Sequence, residues 1–210
     1  MANVVDDLAA AFARLPGIGP RQGKRFVYHL LAVGAPERAR LVELITALGK
    51  TVKQCSECLR FWDGANALCN YCSDRRRDDE QLMLVEKDQD LAAVERAGTY
   101  KGRYFVLGGV LTLSGKGAIR EKELMSTIES RLMPKSGHRM STFGLLQEVV
   151  LALSATSEGE HTADRVRELL TPYRDRLKLS TLGRGLATGS ELEYSDAETL
   201  RGALQNRHES

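Results

Sequence analysis

The chain has 210 residues, of which 42% are hydrophobic and 28% charged. This composition is typical of a soluble globular protein with one or two small domains. No apolar run reaches the length of a membrane span and the first residues lack the basic region of a signal peptide, so we expect a cytoplasmic protein. Residues 1–77 hold 12 basic against 7 acidic side chains, whereas residues 78–210 hold 18 against 21. A positive N-terminal part is a modest indication of a phosphate-bearing partner, although an uneven solvated surface explains it equally well.

Two short amphipathic helices joined by a glycine-rich turn begin the chain. Asp6 and Asp7 precede the first helix and can cap it, and Pro16 ends it. The turn reads Leu-Pro-Gly-Ile-Gly-Pro, and Pro20 suits the first turn of the second helix. Apolar residues recur at helical spacing: Leu8, Ala11, Phe12 and Leu15 in the first helix, and Gly23, Phe26, Val27, Leu30 and Leu31 in the second.

This pattern is typical of a helix–hairpin–helix, a motif that contacts phosphate groups. Gly17 and Gly19 let the backbone come close to a ligand, and the free N–H groups at the start of the second helix favour an anion. Arg21, Lys24 and Arg25 add positive charge on the exposed side of that helix. We therefore expect these five residues to bind DNA through its phosphates, without reading its sequence. The alternative is an ordinary helical hairpin with a Gly/Pro turn.

A third helix is predicted from Pro36 to about Thr51. Its apolar residues share one stripe, which favours a structural role: Leu41, Leu44, Ile45 and Leu48.

All four cysteines follow within 18 residues, as Cys55-Ser-Glu-Cys58 and Cys69-Asn-Tyr-Cys72. Two such pairs predict a tetrahedral sulfur site that suits Zn2+ at about 2.3 Å per bond, and a structural metal because all four ligands come from protein. Two disulfides are the alternative, and they need an oxidising compartment. The neighbouring aromatic residues, Phe61 and Trp62, either stack on a base or form the small core of this module.

Beyond the cysteines, the run from Arg75 to Glu80 changes from basic to acidic, which favours a solvated connector. Strands and helices then alternate, which predicts a parallel sheet with crossover helices. The predicted strands are Leu82–Val85, Tyr104–Leu107, Glu148–Leu153 and Leu177–Leu182. The predicted helices run from Asp88 as cap to Gly98, over Glu121–Met133 and over His161–Leu170, with a polar loop at Pro134–Thr142.

Ligand groups in such a sheet belong at the carboxyl ends of the strands, where Glu86 lies. The layout resembles the Toprim fold, in which a Glu after the first strand and an Asp-x-Asp after a later strand hold Mg2+. Here Ser154 and Thr156 stand at the two Asp positions, and neutral hydroxyls are poor Mg2+ ligands. Ser157 and Glu160 are predicted to form a capping box for the next helix. We therefore do not expect a catalytic metal site.

The order of these parts resembles the family of the bacterial recombination mediator RecR over nearly the whole chain. The motifs that carry the resemblance are 15–20, Cys55 to Asp74, 102–107, 158–163, 184–194, Thr199-Leu200 and Ala203-Leu204. The chain departs from the family pattern at 113–120, at 134–142, at Arg75 and at Ser154-Ala155.

The resemblance implies a protein that binds DNA without cutting it. It implies a ring-like homotetramer in the cytoplasm and nucleoid that acts with RecO, and in other contexts RecF, to load recombinase on gapped DNA. Basic positions that match Arg21 and Arg25 would contact DNA, and the four cysteines would hold zinc. Glu86 and Glu158 would contact protein partners.

The expected fold is thus a multi-part α+β protein. Its parts are a helix–hairpin–helix region (1–53), a four-cysteine zinc module (54–78), an α/β Toprim domain with a parallel sheet (79–178) and a C-terminal strand and helix segment (179–210). Two other functions stay open from the sequence. One is a Mg2+-dependent nuclease or primase that uses Glu86, Glu158 and Glu160, and the other is a protein-binding scaffold without DNA affinity of its own.

Overall fold

The computed structural model describes four stretches of the chain, namely residues 3–114, 117–133, 145–183 and 197–205. The chain divides into two compact units, Met1–Lys53 and Gln54–Ser210. Two predictions lie outside the described residues, the loop Pro134–Thr142 and the tail motif at 184–194. None of the described helices combines the length and the apolarity needed to cross a membrane.

The first unit consists of three helices, as the sequence predicts: α1 (Val4–Ala13), α2 (Pro20–Ala32) and α3 (Ala35–Thr51). The predicted cap of α1 is wrong, because the cap is Asn3, whose side-chain oxygen accepts a hydrogen bond from the N–H of Val5 at 3.1 Å. Asp6 and Asp7 lie in the first turn, where their charge stabilises the positive end of the helix.

Helices α1 and α2 pack closely because a glycine lies at their contact. A Cβ on Gly23 would lie 2.5 Å from the carbonyl oxygen of Ala9, so the two backbones meet here. Phe12 and Phe26 pack edge to face with their ring centroids 5.7 Å apart, and Val27 is buried. These contacts form the predicted helical hairpin.

Helix α3 lies where the sequence predicts it, and none of its residues is buried. The side chain of Arg38, in the first turns of α3, donates hydrogen bonds to the carbonyl oxygens of Leu30 and Val33 at the end of α2. The apolar stripe faces solvent with exposed fractions between 37% and 63%: Leu41, Val42, Leu44, Ile45 and Leu48.

The second unit is built on a four-stranded parallel sheet, which confirms the predicted sheet type. Its strands are β3 (Asp78–Val85), β4 (Gly102–Val106), β5 (Glu148–Ala152) and β6 (Lys178–Thr181), in the order β4-β3-β5-β6. The strands β1 (Val52–Gln54) and β2 (Phe61–Asp63) form a separate two-stranded sheet. The helices are α4 (Asn70–Ser73), α5 (Asp88–Ala97), α6 (Glu121–Leu132), α7 (Ser157–Leu169) and α8 (Ala197–Gln205), with a 3-10 turn at Thr171–Tyr173.

Each face of the parallel sheet has its own core. Leu82, Leu84 and Phe105 point to one face, where they pack with Ile128 of α6 and Val166 of α7. On the other face, four strand residues pack with Leu91 of α5 and with the cysteines. These strand residues are Met83, Val85, Tyr104 and Val106. The alternation of side chains along β3 and β4 therefore places the cysteine module directly on the sheet.

The predicted solvated connector holds for the exposed Arg75 and Arg76 and is wrong from Arg77 onward, because β3 begins at Asp78, four residues before the predicted strand. Arg77 is 11% exposed and pairs with Glu95 of α5 at 2.6 Å. Asp79 is 18% exposed and pairs with Arg103 of β4 at 2.6 Å. These charges are held by partners distant in sequence, so local polarity gives no sign of their burial.

Two predicted helix caps in this unit are also wrong. Helix α7 begins at Ser157 rather than at His161, and its cap is Thr156, whose hydroxyl accepts from the N–H of Gly159 at 3.1 Å. Helix α5 begins at Asp88, so its cap is Lys87 rather than Asp88. The backbone N–H of Lys87 donates to the Asp90 side chain at 2.9 Å. The predicted closing residue of α5, Gly98, is confirmed, with φ at +69°.

Candidate functional site

The four cysteines meet in one buried cluster, although they come from two separate turns. Their sulfur atoms all lie within 4.8 Å of one another, and the sulfurs of Cys58 and Cys69 are 3.6 Å apart. A tetrahedral ion with bonds of about 2.3 Å places its sulfur ligands about 3.8 Å apart, so this donor set fits a metal ion. No disulfide joins these four cysteines, which disagrees with the disulfide alternative.

Backbone hydrogen bonds between residues close in sequence stabilise the first cysteine turn. The N–H of Leu59 donates to the carbonyl oxygen of Cys55 at 3.1 Å, and the N–H of Cys55 donates to the carbonyl oxygen of Arg60 at 2.9 Å. Leu59 has φ at +60°, a conformation that costs a non-glycine residue about 1–2 kcal/mol. The turn keeps this conformation because the Leu59 side chain packs against the sheet core.

The second cysteine turn is joined to the first through sulfur. The N–H of Cys69 donates to the sulfur of Cys55 at 3.4 Å, and the N–H of Ser73 donates to the carbonyl oxygen of Cys69 at 2.9 Å. Hydrogen bonds among the crowded sulfurs lower the pKa of Cys55, chiefly through Cys58, and raise the pKa of Cys58 and of Cys72, chiefly through Cys55. The thiolate is the metal-binding form of cysteine, so a bound cation would let all four sulfurs lose their protons.

Two arginines of the α/β domain bind the cysteine turns, and sequence reasoning missed them. Arg103 is 7% exposed and donates to the carbonyl oxygen of Cys72 at 3.0 Å. Arg120 donates to the carbonyl oxygen of Leu59 at 3.0 Å. A signal for Arg103 was present, because a lone arginine inside the apolar strand run 103–107 requires buried hydrogen-bond acceptors.

The aromatic residues of the module have divided roles. Trp62 packs against the core that contains the cysteines, as one of the two sequence alternatives proposed. Phe61 is 53% exposed. Tyr71 lies between two guanidinium groups, Arg60 at 4.7 Å and Arg77 at 4.9 Å from the ring centroid.

At the carboxyl end of β3, Glu86 is 8% exposed and bound by a neighbouring serine. The backbone N–H and the hydroxyl of Ser154 both donate to the same Glu86 oxygen, each at 2.6 Å. In the Toprim pattern an Asp stands at this position and binds the same metal ion as the glutamate. Here Ser154 binds Glu86 directly by hydrogen bonds. The hydroxyl of Ser154 also lies 3.1 Å from that of Thr156.

The two remaining carboxylates of this edge lie on α7. Glu158 and Glu160 are in its first turn, and Glu158 is exposed. Within the described part of the chain, the four cysteines are the group of His, Cys, Asp and Glu side chains that is close enough to hold a metal ion.

In the hairpin of the first unit, the two glycines differ in backbone conformation. Gly17 has φ at +77°, which favours glycine, whereas Gly19 has an ordinary φ of −86°. A Cβ added to either residue would meet no atom within 4 Å. The surface beside the turn is therefore open, and Gly19 precedes α2 without a side-chain cap on the N–H groups of the helix.

The three basic residues of α2 are not equally available. Lys24 pairs with Asp6 of α1 at 3.2 Å, and Arg25 donates to Gln22 at 3.4 Å. Arg21 is exposed, and among the described residues it has no ion pair. Of these three residues, Arg21 is thus the one nearest to the turn and free to meet a phosphate group.

A helical hairpin, a four-cysteine module and a parallel sheet with a Toprim-type carboxyl edge define a multi-domain protein of the Toprim class. Family models agree: "RecR, helix-hairpin-helix" matches residues 5–48, "Toprim domain" matches 80–182 and "RecR, C-terminal" matches 185–208.

The chain belongs to the RecR family. It is 38% identical to the recombination protein RecR of Ruegeria sp. (strain TM1040) over 98% of this chain and 96% of that protein. It is 36% identical to the recombination protein RecR of Thermobifida fusca (strain YX) over 98% of this chain and 94% of that protein.

Proposed function

We propose that the protein is a non-catalytic DNA-binding mediator of recombinational DNA repair. The observation that carries the proposal is the open hairpin surface of Gly17 and Gly19 beside the exposed Arg21. A Cβ on either glycine would meet no atom within 4 Å and α2 has no side-chain cap, which favours binding of a phosphate group at the start of α2. Arg25, one turn further along, and Lys24 add charge to the same helix. The names of the relatives, recombination proteins, support this role.

The absence of catalysis is proposed from the chemistry of the sheet edge. Toprim enzymes need clustered carboxylates around Mg2+, and here a hydroxyl and a backbone N–H hold Glu86 instead. A nuclease or primase would have to act with Glu86, Glu158 and Glu160 alone.

We assign a structural Zn2+ to the four cysteines, because soft thiolate donors in a closed tetrahedral set favour this ion. Cys55, Cys58, Cys69 and Cys72 would each supply one bond and leave no position for substrate. The ion would tie the two cysteine turns together on the sheet. With the divisions predicted above, the zinc module (54–78) then lies next to the Toprim domain (79–178) and before the C-terminal segment (179–210).

Partner proteins and further copies of the chain complete the proposal. By family resemblance, the mediator acts in the cytoplasm and nucleoid with RecO, and in other contexts RecF. The exposed Glu158 and the remaining accessible edge of Glu86 are the acidic contacts proposed for these partners. The apolar stripe of α3 supports a homo-oligomer, for which we propose the ring-like tetramer of the family.

The test is DNA binding by the full-length protein over a range of salt concentrations. Arg21→Gln with Arg25→Gln should weaken binding at every sequence and lower the slope of log affinity against log salt by about 2, one unit for each phosphate contact. Arg40→Gln is the matched control, since Arg40 is an exposed arginine of α3 in the same unit.

An unchanged affinity and salt slope in the double variant would refute the proposed DNA site. DNA binding that appears only when RecO is added, and that the double variant leaves intact, would favour the scaffold alternative. Mg2+-dependent nicking that disappears in Glu86→Gln would refute the non-catalytic assignment.

A further inference from the structure

Arginines of the α/β domain hold the backbone of both cysteine turns, Arg120 the first and Arg103 the second, and Arg131 of α6 also pairs with Glu57 of the first turn at 3.7 Å. Arg120, which precedes α6, donates through one nitrogen to the carbonyl oxygens of Leu59 at 3.0 Å and Val106 at 2.8 Å. Leu59 directly follows Cys58. The same turn is fixed a second time by the N–H of Val106, which donates to the carbonyl oxygen of Cys58 at 2.9 Å.

The second turn has an equivalent contact on β4. Arg103 donates through one nitrogen to the carbonyl oxygens of Tyr71 at 3.1 Å and Cys72 at 3.0 Å. Its other side pairs with Asp79, which fixes the direction of the guanidinium group. Arg103 is thus a buried cation whose hydrogen bonds end on the backbone of a metal ligand.

The arginines also suit the site because they are positively charged. A divalent ion with four thiolates leaves two net negative charges in a buried place, which is unfavourable unless cations lie nearby. Arginine stays protonated, and its planar fork holds the N–H groups in fixed directions, so that here a single nitrogen reaches two carbonyl oxygens at once. Asp79 balances part of the charge of Arg103, whereas Arg120 has no ion pair among the described residues.

We propose that Arg103 and Arg120 are positioning residues for the metal, one for each cysteine turn. They keep each turn closed and offset the negative charge of the sulfurs, so that the α/β domain determines how long the ion is retained. This inference rests on the proposed structural zinc. It adds that residues far from the cysteines in sequence control the site.

The experiment measures the rate at which a chromogenic chelator removes zinc from the folded, full-length protein. Arg120→Met and Arg103→Met should each release zinc roughly 10-fold faster or more, the usual effect of losing a residue that supports metal ligands. Arg120→Lys, which keeps the charge but not the fork, should fall between Arg120→Met and the native protein. The matched control is Arg165→Met, because Arg165 pairs with Glu121 through two hydrogen bonds and, among the described residues, has no hydrogen bond or ion pair with the module.

A second control separates retention of the metal from stability of the fold. Ile128→Val removes a buried methyl group of α6 on the opposite face of the sheet. Its zinc release should stay near the native rate under conditions where the protein is folded. Co2+-substituted arginine variants should keep the absorption bands of a four-thiolate site, since all four ligands remain.

Two outcomes would overturn the inference, and a further one would overturn the zinc assignment on which it rests. Release at the native rate in both Arg→Met variants would refute it directly. If Arg165→Met or Ile128→Val accelerates zinc release as much at equal stability, the arginines only stabilise the fold in general and have no specific role at the metal site. If Arg→Met variants do not fold, Arg103→Lys and Arg120→Lys carry the same test. A native protein that purifies folded and without metal would instead refute the zinc assignment itself.

Discussion

At the scale of single residues, Ser154 decides the chemistry of the sheet edge. Its N–H and hydroxyl both reach one oxygen of Glu86, which is 8% exposed. A buried carboxylate needs such donors or a cation, and the serine supplies the donors. Glu86 thus has hydrogen-bond donors that do not depend on Mg2+, which supports the non-catalytic role proposed for this Toprim domain.

Ser154→Asp should make this edge depend on Mg2+. A second carboxylate beside Glu86 repels it, so we expect the free energy of unfolding to fall by about 1–3 kcal/mol in EDTA. Millimolar Mg2+ should restore part of the loss, because the ion binds both carboxylates. Urea denaturation with and without Mg2+ measures the effect, and Ser154→Asn is the uncharged control. If Mg2+ stabilises neither variant, the geometric equivalence of Ser154 to a metal ligand is wrong.

A second residue-scale prediction concerns Glu148 on β5. The hydroxyl of Ser180 at 2.7 Å, and after it Lys178 at 3.1 Å, hold the pKa of Glu148 below its usual value. Because the folded pKa is lowered, the stabilisation is complete above the unfolded pKa of about 4.3 and is lost as pH falls through the folded pKa. Glu148→Gln should therefore cost about 1 kcal/mol at pH 6 and less at pH 3.

Urea denaturation at the two pH values measures this difference in the free energy of unfolding. Glu168→Gln is the control, since its side chain is 70% exposed and should matter little at either pH. A cost of Glu148→Gln that stays constant from pH 6 to pH 3 would contradict the assignment.

Residue roles differed in how far the sequence predicts them. The four cysteines were predictable, because a spacing of two residues aims both sulfurs of a turn at one point. The roles of Arg103 and Arg120 depend on carbonyl oxygens 31 and 61 residues earlier in the chain, and local patterns contain no such information. The misassigned caps at Asp6 and Ser157 have a simpler cause, since several neighbouring residues can cap equally well.

At the scale of elements, the hairpin of α1 and α2 depends on Gly23. A Cβ there would lie 2.5 Å from the carbonyl oxygen of Ala9, a backbone atom that cannot move alone. Gly23→Ala should thus separate the helices and lower the free energy of unfolding by about 1–3 kcal/mol, measured in urea.

Helix α3 offers the matched control for this change. Gly49 lies within α3, and a Cβ on it would meet no atom within 4 Å. Gly49→Ala should stabilise the protein by about 0.5–1 kcal/mol, because alanine favours a helix. Equal effects of the two substitutions would contradict the packing described for α1 and α2.

The elements themselves were largely predictable, since periodicity records which face of a helix or strand is covered. Prediction failed where the cover is not local. Strand β3 is longer than its apolar part because Arg103 stabilises the charge on Asp79. The stripe of α3 was predicted to have a structural role, and the structure shows it exposed. Periodicity indicates that a face is covered and does not say by what.

At the scale of the whole molecule, the exposed apolar stripe of α3 indicates an interface with another chain. A 17-residue helix with no buried residue gains little from packing within its own chain, and such helices are marginal alone. Adjacent exposed apolar side chains are typical of a protein–protein interface. In keeping with the proposed ring, we expect a second copy of the chain to cover this stripe.

Ile45→Glu should therefore lower the oligomeric mass measured by light scattering after size-exclusion chromatography. Ile45 lies in the middle of the stripe and is 59% exposed, so a charge there would be tolerated by a single chain and would be unpaired inside an interface. Leu113→Glu, at another exposed apolar position, is the control and should keep the native mass. If the subunit interface lies elsewhere, Ile45→Glu will leave the mass unchanged. If α3 instead binds a different protein, the native chain will run as a monomer, and only the partner complex will be lost.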